Sequence, residues 1–506
     1  MRREVTLAEI AALLAVAQDH AFGQPPGSQL RAAVLSQRLA SAAGADAAER
    51  ATTWWASALR FLGCTGHAYD VAVLFGDEIE LRSASLRADA ANPVDMLRLM
   101  LARAGEGLSG EGRLRSVVTL LAAGRRAAEL NFRAACEVAD VFATRLHLDD
   151  DVRAALSANF ERWNGRGLPR GVRGAAIPRP MRIAQLGHEL EVLARVDGPR
   201  SALETVAARR GSAYDPELAD LAVTHGADWW DAVEPLDAWD SALAVAPPAR
   251  PLGAGAAHEA LTVLADFADL KSPWTGGHSR AVAALALDAC GPAAEEAALV
   301  HDLGRVAVPN TIWDKPGPLT RDERDRAETH ALVTDQLLRR LPFTAPLAGL
   351  ACSAHERLDG SGYHRRLASV HLDEVQRVVA AADCYQAMVS DRPYRRALTP
   401  EAAAGELRAM SGDGRLDGEA VERVLAAAGH RRAARPPLPA GLTAREVEVL
   451  RLLALGRTTR EVASRLVISA KTADHHVQHI YTKIGVSTRG AAALFAVENG
   501  LLPAAV

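Results

Sequence analysis

Residues 356–366 read ERLDGSGYHRR (Glu356 to Arg366), and 195 residues earlier the chain reads ERWNGRGLPRG (Glu161 to Gly171). At the same offset Arg182-Ile183 meets Arg377-Val378, each opening an apolar run with helical spacing. Further upstream, ALRFLGC (Ala58 to Cys64) is similar to LVHDLGR (Leu299 to Arg305). Self-similarity of this kind marks diverged copies of one module. Around both copies, Ala/Leu/Arg/Glu segments place apolar residues at i, i+3 and i+4, and β-branched runs are few. The expected fold class is therefore all-α.

The length of 506 residues suits about three domains of ~100–200 residues each. Two stretches rich in Pro, Gly and Ala read as linkers: 244–256 (AVAPPARPLGAGA) and 431–441 (RRAARPPLPAG). They give blocks at 1–245, 250–430 and 440–506. The formal charge of −4 excludes a uniformly basic nucleic-acid coat protein. Its distribution is uneven, because residues 431–506 carry 11 basic and five acidic side chains. Of the four lysines, Lys471 and Lys483 fall there. The five cysteines are odd in number and never C-x-x-C, which argues against a disulfide framework and against Cys-ligated zinc. The opening MRREVTLAEI places Glu4 and Glu9 where a signal peptide needs an apolar core. No apolar run reaches the roughly 18 residues of a membrane helix. A cytoplasmic protein with no membrane partner is expected.

The second block holds an adjacent imidazole–carboxylate pair, His301-Asp302, with His278, His330, His355 and Asp383 around it. The successive histidines and Asp383 lie 23, 29, 25 and 28 residues apart. Each interval suits one helix plus a loop, so a helical bundle can return every ligand to one pocket. Imidazoles and carboxylates without a thiolate favour Fe, Mn or Zn. Two metals bridged by Asp302 would activate water and neutralise charge on a phosphodiester.

Residues 258–428 resemble the HD-GYP family of metal-dependent phosphohydrolases, many of which hydrolyse cyclic di-GMP. The resemblance rests on TGGHSRAV (Thr275 to Val282), HDLGRVAVPNTIWDKPGPLT (His301 to Thr320), His330, HERLDGSGY (His355 to Tyr363) and AADCYQAMVSDRPYRRAL (Ala381 to Leu398). It implies metal ligation by His278, His301, Asp302, His330, His355 and Asp383. It also implies catalytic roles for Asp302 and Arg305, and phosphate contacts by Arg305, Arg392 and Arg395. The cofactor implied is a divalent metal, Fe or Mn with Zn as the alternative, one or two per chain. Asp359 to Tyr363 would form a tight loop beside the pocket, with Gly360 and Gly362 allowing close backbone approach. Three positions depart from the family: Ala354 replaces the first of a His pair, Arg305 replaces a Lys, and His364 replaces the Pro of the signature. Ala354 removes one ligand, expected from the second metal, and His364 either replaces it or faces solvent.

In the first copy the matching positions have lost this chemistry. Arg60-Phe61 stand at His301-Asp302, Phe160 at His355, Asn164 at Asp359, His188 at Asp383 and Ser28 at His278. An apolar ring cannot bind a metal, so this half reads as non-catalytic, serving packing, dimerisation or ligand sensing. His20, His67 and His147 read as ordinary surface residues.

The third block divides into four short helices. Thr443-x-x-Glu446 and Thr458-x-x-Glu461 are capping boxes, Gly456 suits a helix C′ position, and Ser469 caps a helix running to about Ile484. On that helix Ala473, Val477, Ile480 and Ile484 face inward, leaving Lys471, Thr472, His475, His479 and Lys483 exposed. The segment resembles the LuxR-type helix-turn-helix, through LTAREVEVLRLLALG (Leu442 to Gly456), TTREVASRLVIS (Thr458 to Ser469), KTADHHVQHIYTKIGV (Lys471 to Val486) and STRGAAALFAVENGL (Ser487 to Leu501). The resemblance implies that helix 469–484 enters the major groove of double-stranded DNA. Thr472, His475 and His479 would read bases while Lys471 and Lys483 hold phosphates. It also implies a homodimer associating through residues 491–497.

The expected architecture is thus two HD-type helical bundles followed by a four-helix LuxR-type domain. The expected function is a DNA-binding transcriptional regulator whose second module binds, and in one reading hydrolyses, a cyclic dinucleotide or related phosphodiester. The alternatives are a metal-dependent phosphodiesterase that uses its tail for localisation, and a pseudoenzyme sensor.

Overall fold

Helix starts in this chain are written locally. Thr6 with Glu9, Thr320 with Glu323 and Asp373 with Gln376 each form a reciprocal capping box, satisfying two otherwise orphaned backbone donors apiece. Pro at the first turn opens the helices Pro199–Ala208, Pro216–Val233, Pro292–Val300 and Pro400–Gly412. The computed structural model describes residues 4–89, 92–103, 110–248, 251–430, 439–454, 457–499 and 501. Among these the fold is helical, with isolated β-bridges and no sheet. Chain contacts divide it into two units, Met1–Arg431 and Arg432–Val506.

Within the first unit the duplicated module is visible in its hydrogen bonds. Asp19 accepts from the backbone N–H groups of Gly27 and Gln29, and Asp269 accepts from the N–H and hydroxyl of Ser279. In both places a left-handed glycine, Gly27 or Gly277, stands at the N-cap of the following helix. The Glu161 carboxylate accepts from the N–H groups of Arg170 and Val172, and Glu356 accepts from those of Arg365 and Leu367. A fully buried carboxylate thus ties each ERxxGxG loop shut. Gly167 and Gly362 complete the loops, since a Cβ at either would lie within 2.5 Å of the backbone of that glutamate.

The two copies share one continuous apolar core. Helix Leu7–Ala21 packs on helix Ser28–Ala42 of its own half and on the 3-10 turn Leu303–Ala307 of the other. Helix Ala254–Asp269 packs in turn on the 3-10 turn Leu62–His67. The stretch 244–256, although rich in Pro and Gly, is packed where it is described: the Leu252 N–H donates to the Val5 carbonyl at 2.7 Å, and Pro251 bridges Thr6. A buried ion pair, Lys271 Nζ to Glu78 Oε1 at 2.6 Å, also joins the halves. The stretch 431–438 lies outside the described residues.

The second unit has its own core, built on Val449, Leu450, Val462, Ala473, Val477 and Ile480 from helices Ala444–Ala454, Thr459–Arg465 and Ala470–Ile484. Ser469 caps the third helix through the Thr472 N–H, and Gly485 ends it in the left-handed conformation. Gly456 lies outside the described residues. Ala492 and Ala496 of the last helix, Arg489–Glu498, are buried in this core.

Candidate metal centre

His301 is the C-cap of helix Pro292–Val300, so the chain leaves that helix through the imidazole and enters the turn Leu303–Ala307 directly after Asp302. Gly304 sits where a Cβ would meet the His330 carbonyl at 2.0 Å, which brings helix Arg321–Arg339 against the turn and His330 into the pocket. His278 opens helix His278–Cys290, and Asp383 comes from helix Glu374–Val389. Four helices and the ERLDGSGY loop therefore deliver six side chains to one buried place.

The six form two groups whose candidate ligand atoms lie within 4.8 Å of one another: His278, His301 and Asp383, then Asp302, His330 and His355. Asp302 lies between them. Its Oδ2 is 3.6 Å from His301 Nε2 and 4.0 Å from His278 Nε2, while its Oδ1 is 3.3 Å from His330 Nε2 and 3.4 Å from His355 Nε2. Asp383 Oδ1 is 3.1 Å from His278 Nε2, and its Oδ2 is 3.4 Å from His355 Nδ1.

Backbone carbonyls orient the imidazoles. Nδ1 of His301 bonds the Ala298 carbonyl at 2.7 Å, and Nδ1 of His330 bonds the Ala327 carbonyl at 2.6 Å. A carbonyl accepts only, so each Nδ1 carries a proton and Nε2 is the ring atom turned to the pocket, the one that would give up any proton of its own to ligate a metal. Nε2 of His301 is buried with no hydrogen-bond partner among the described residues. The Nε2 atoms of His330 and His355 face each other at 2.9 Å. This convergence of lone pairs and carboxylates fits divalent cations.

The electrostatics agree. Burial alone would raise both carboxyls, but His301 and Arg305 beside Asp302, and His278 and His301 beside Asp383, hold them well below the usual carboxylate range. Burial would lower His301, yet Asp302 and Asp383 outweigh it and push the imidazole up to about 9. Burial dominates at His278 and His330, whose values are lowered. Two ionised carboxylates in a buried pocket are a demand for positive charge.

Arg305 meets part of that demand, with Nη1 3.1 Å from Asp302 Oδ2 and its guanidinium 4.0 Å from the Trp313 ring centroid. Arg392 reaches the same rim, donating to the Trp274 carbonyl at 3.3 Å and lying 3.5 Å from His278 Nδ1. Arg395 is placed differently from the sequence expectation. Its Nη groups donate to the carbonyls of Met388 and Ala387, so it caps the end of helix Glu374–Val389 instead of presenting free donors to a phosphate. Tyr363 stacks on His355 with ring centroids 5.0 Å apart. His364 is half-buried and outside both ligand groups, and Ala354 is fully buried in the apolar core.

In the first half, Gly63 makes the approach that Gly304 makes in the second, its Cβ position lying 1.8 Å from the Ala135 carbonyl. Ala135 thus corresponds to His330. Phe61 stacks edge-on against His188 at 5.1 Å, at the positions that Asp302 and Asp383 hold in the second half. His67, expected at the surface, is 6% exposed, because its turn packs beneath helix Gly110–Arg145.

On the second unit, Lys471, Thr472, His475 and His479 are exposed along one helix, and the two histidine rings lie 4.2 Å apart. Lys483 is engaged elsewhere. Its ammonium bonds Glu446 at 2.7 Å and the Gly441 carbonyl at 3.0 Å, closing this helix onto Ala444–Ala454.

Residues 262–420 match the HD domain family, and residues 440–496 match the bacterial regulatory proteins of the luxR family. The 3'3'-cGAMP-specific phosphodiesterase 3 of Vibrio cholerae serotype O1 is 27% identical over 406 residues, covering 78% of this chain and 88% of that one. The cyclic di-GMP phosphodiesterase response regulator RpfG of Xanthomonas campestris pv. campestris is 39% identical over 120 residues, 23% of this chain and 32% of that one. Among solved structures, a cyclic GMP-AMP-specific phosphodiesterase of V. cholerae superposes with a TM-score of 0.57 at 24% identity, covering 85% of this chain and 99% of that one. That likeness supports the fold. No helix among the described residues is long and apolar enough to cross a membrane.

Proposed function

Because this chain joins an HD domain to a luxR-family regulatory domain, we propose that it is a cytoplasmic transcriptional regulator whose HD domain hydrolyses a cyclic dinucleotide. The observation that carries the reading is the Asp302 carboxylate, set between two groups of imidazole and carboxylate ligands. His278, His301 and Asp383 would hold one divalent metal, Fe or Mn, and His330 and His355 a second, with Asp302 shared. Bound there, the metals would supply an activated water and charge neutralisation on the phosphodiester. Arg305 and Arg392 orient the phosphate from the rim, and Tyr363 walls the pocket beside His355. The substrate class is taken from the relatives, which are named for 3'3'-cGAMP and cyclic di-GMP.

The luxR-family domain would place Ala470–Ile484 in the major groove of double-stranded DNA, with Lys471 on phosphate and Thr472, His475 and His479 at base edges. A homodimer would present two such helices to two half-sites. The test is a hydrolysis assay with 3'3'-cGAMP and cyclic di-GMP in added Mn²⁺, beside DNA binding by the same preparation. Wild type is expected to turn over at least one of them and Asp302→Ala to lose at least 10³-fold, a loss of about 4 kcal/mol of transition-state stabilisation. A wild type that hydrolyses neither but still binds DNA selectively would favour a pseudoenzyme, the reading Ala354 supports.

A further inference from the structure

The first half holds a partly open cavity of about 190 Å³ at the position that corresponds to the metal centre of the second. It is larger than the roughly 150 Å³ apolar cavity that admits benzene. Its walls are mainly apolar, with Leu99 from helix Pro93–Arg103 on one side and the Phe132 and Phe160 rings, centroids 4.4 Å apart, on another. One end is polar. Arg60, at the His301 position, is 5% exposed and held by Asn159 Oδ1 at 2.9 Å and the Gln185 carbonyl at 3.3 Å. It has no ion-pair partner among the described residues, whereas Arg162 beside it is paired with Glu189 at 3.3 Å. His188, at the Asp383 position, is 3% exposed, and neither of its ring nitrogens has a hydrogen-bond partner among the described residues. The Arg162 Nε is also unpartnered.

A buried guanidinium with no carboxylate at ion-pair distance, Glu189 at the same end being paired with Arg162, and a buried imidazole without a partner are both costly in an apolar surrounding. They face a space that a ligand can fill. We propose that the first half is a binding site for a single-chain aliphatic carboxylate, its tail between Leu99, Phe132 and Phe160 and its carboxylate on Arg60 and His188. Burial and the neighbouring Arg162 push Arg60 down to about 9, which is the strain a negative partner relieves. The site reuses the geometry of the catalytic half with its cation-binding residues exchanged for an anion-binding pair and apolar walls. It does not depend on the hydrolytic reading, because it uses none of those residues.

The test is calorimetric titration of the full chain with sodium decanoate below its micelle concentration, compared with octanoate and decanol. Saturable binding of one decanoate per chain is expected, weaker by about fourfold for each methylene removed. Decanol is expected to bind at least tenfold more weakly than decanoate. Ala128→Phe and Leu99→Trp, which fill the cavity from two helices, should each abolish binding with helicity retained. Arg60→Met should abolish the preference for the carboxylate. If Arg60→Met does not fold, the comparison of decanoate with decanol on wild type decides the head group by itself. Absence of saturable decanoate binding, equal affinity for decanol, or unchanged binding by both folded filling variants would overturn the proposal.

Discussion

Lysine is rare enough in this chain that the two on helix Ala470–Ile484 invite a single role, and their surroundings assign them different ones. Lys471 is exposed on the proposed groove face, so Lys471→Ala should weaken DNA binding on all sequences alike and reduce the salt slope by about one. Lys483 is bonded to Glu446, so Lys483→Ala should chiefly loosen the packing of two helices. Glu446 also accepts from the Thr443 N–H; burial would raise its carboxyl, but these partners hold it down at about 2, below an ordinary value of 4.5. A depressed native value contributes stability that is complete above the unfolded value and is lost as pH falls through the native one. Amide protection in Ala444–Ala454, followed by hydrogen exchange, should therefore decline between about pH 5 and pH 2, and Lys483→Ala should flatten that decline. Spacing placed Lys483 on the outer face correctly, but it could not show a carboxylate 37 residues away waiting for it. The same blindness applied to Arg395, whose donors are taken by carbonyls at the end of its neighbouring helix.

Among the elements, those with local signals were the ones the sequence announced. The capping boxes at Thr443 and Thr458 and the cap at Ser469 all appear where their residue types require. The tight loop was legible through Gly360 and Gly362, although the carboxylate closing it, Glu356, carried no chemical label in the motif. Gly304 is the test of how the elements build the site. A methyl group there would lie 2.0 Å from the His330 carbonyl and 2.6 Å from the Thr334 nitrogen, so Gly304→Ala must push helix Arg321–Arg339 outward. The expected cost is about 3 kcal/mol in urea unfolding, with at least tenfold weaker Mn²⁺ binding as His330 withdraws. Gly63→Ala makes the equivalent clash with Ala135 in the first half and should cost similar stability while leaving Mn²⁺ affinity unchanged.

At the scale of the first unit, the duplication was readable in the ERxxGxG agreement, but the shared core was not. Pro and Gly in 244–256 read as a separator, whereas Val5 and Leu252 hydrogen-bond and helices Leu7–Ala21 and Ala254–Asp269 pack across the halves. Composition reports local chain stiffness and says nothing of which apolar faces meet. The buried pair Glu78–Lys271 is the sharpest of these hidden contacts, and Glu78 also accepts from the Asn310 N–H just beyond the His301-Asp302 turn. Glu78→Gln leaves the Lys271 ammonium buried without its counter-ion, which should cost about 3–5 kcal/mol in thermal unfolding of the full chain. The cavity of the first half was equally hidden: Arg60, Phe160 and His188 mark its place in the repeat, but Leu99 on its opposite wall comes from helix Pro93–Arg103, which has no counterpart signal there. The claim on which the whole molecule turns is that the second half is a working metal centre joined to a DNA-binding domain. The most direct measurement is the metal content of the full chain after reconstitution with Mn²⁺ and removal of excess. Two ions per wild-type chain and fewer than one in Asp302→Ala are expected, whereas fewer than one per wild-type chain would contradict a working metal centre.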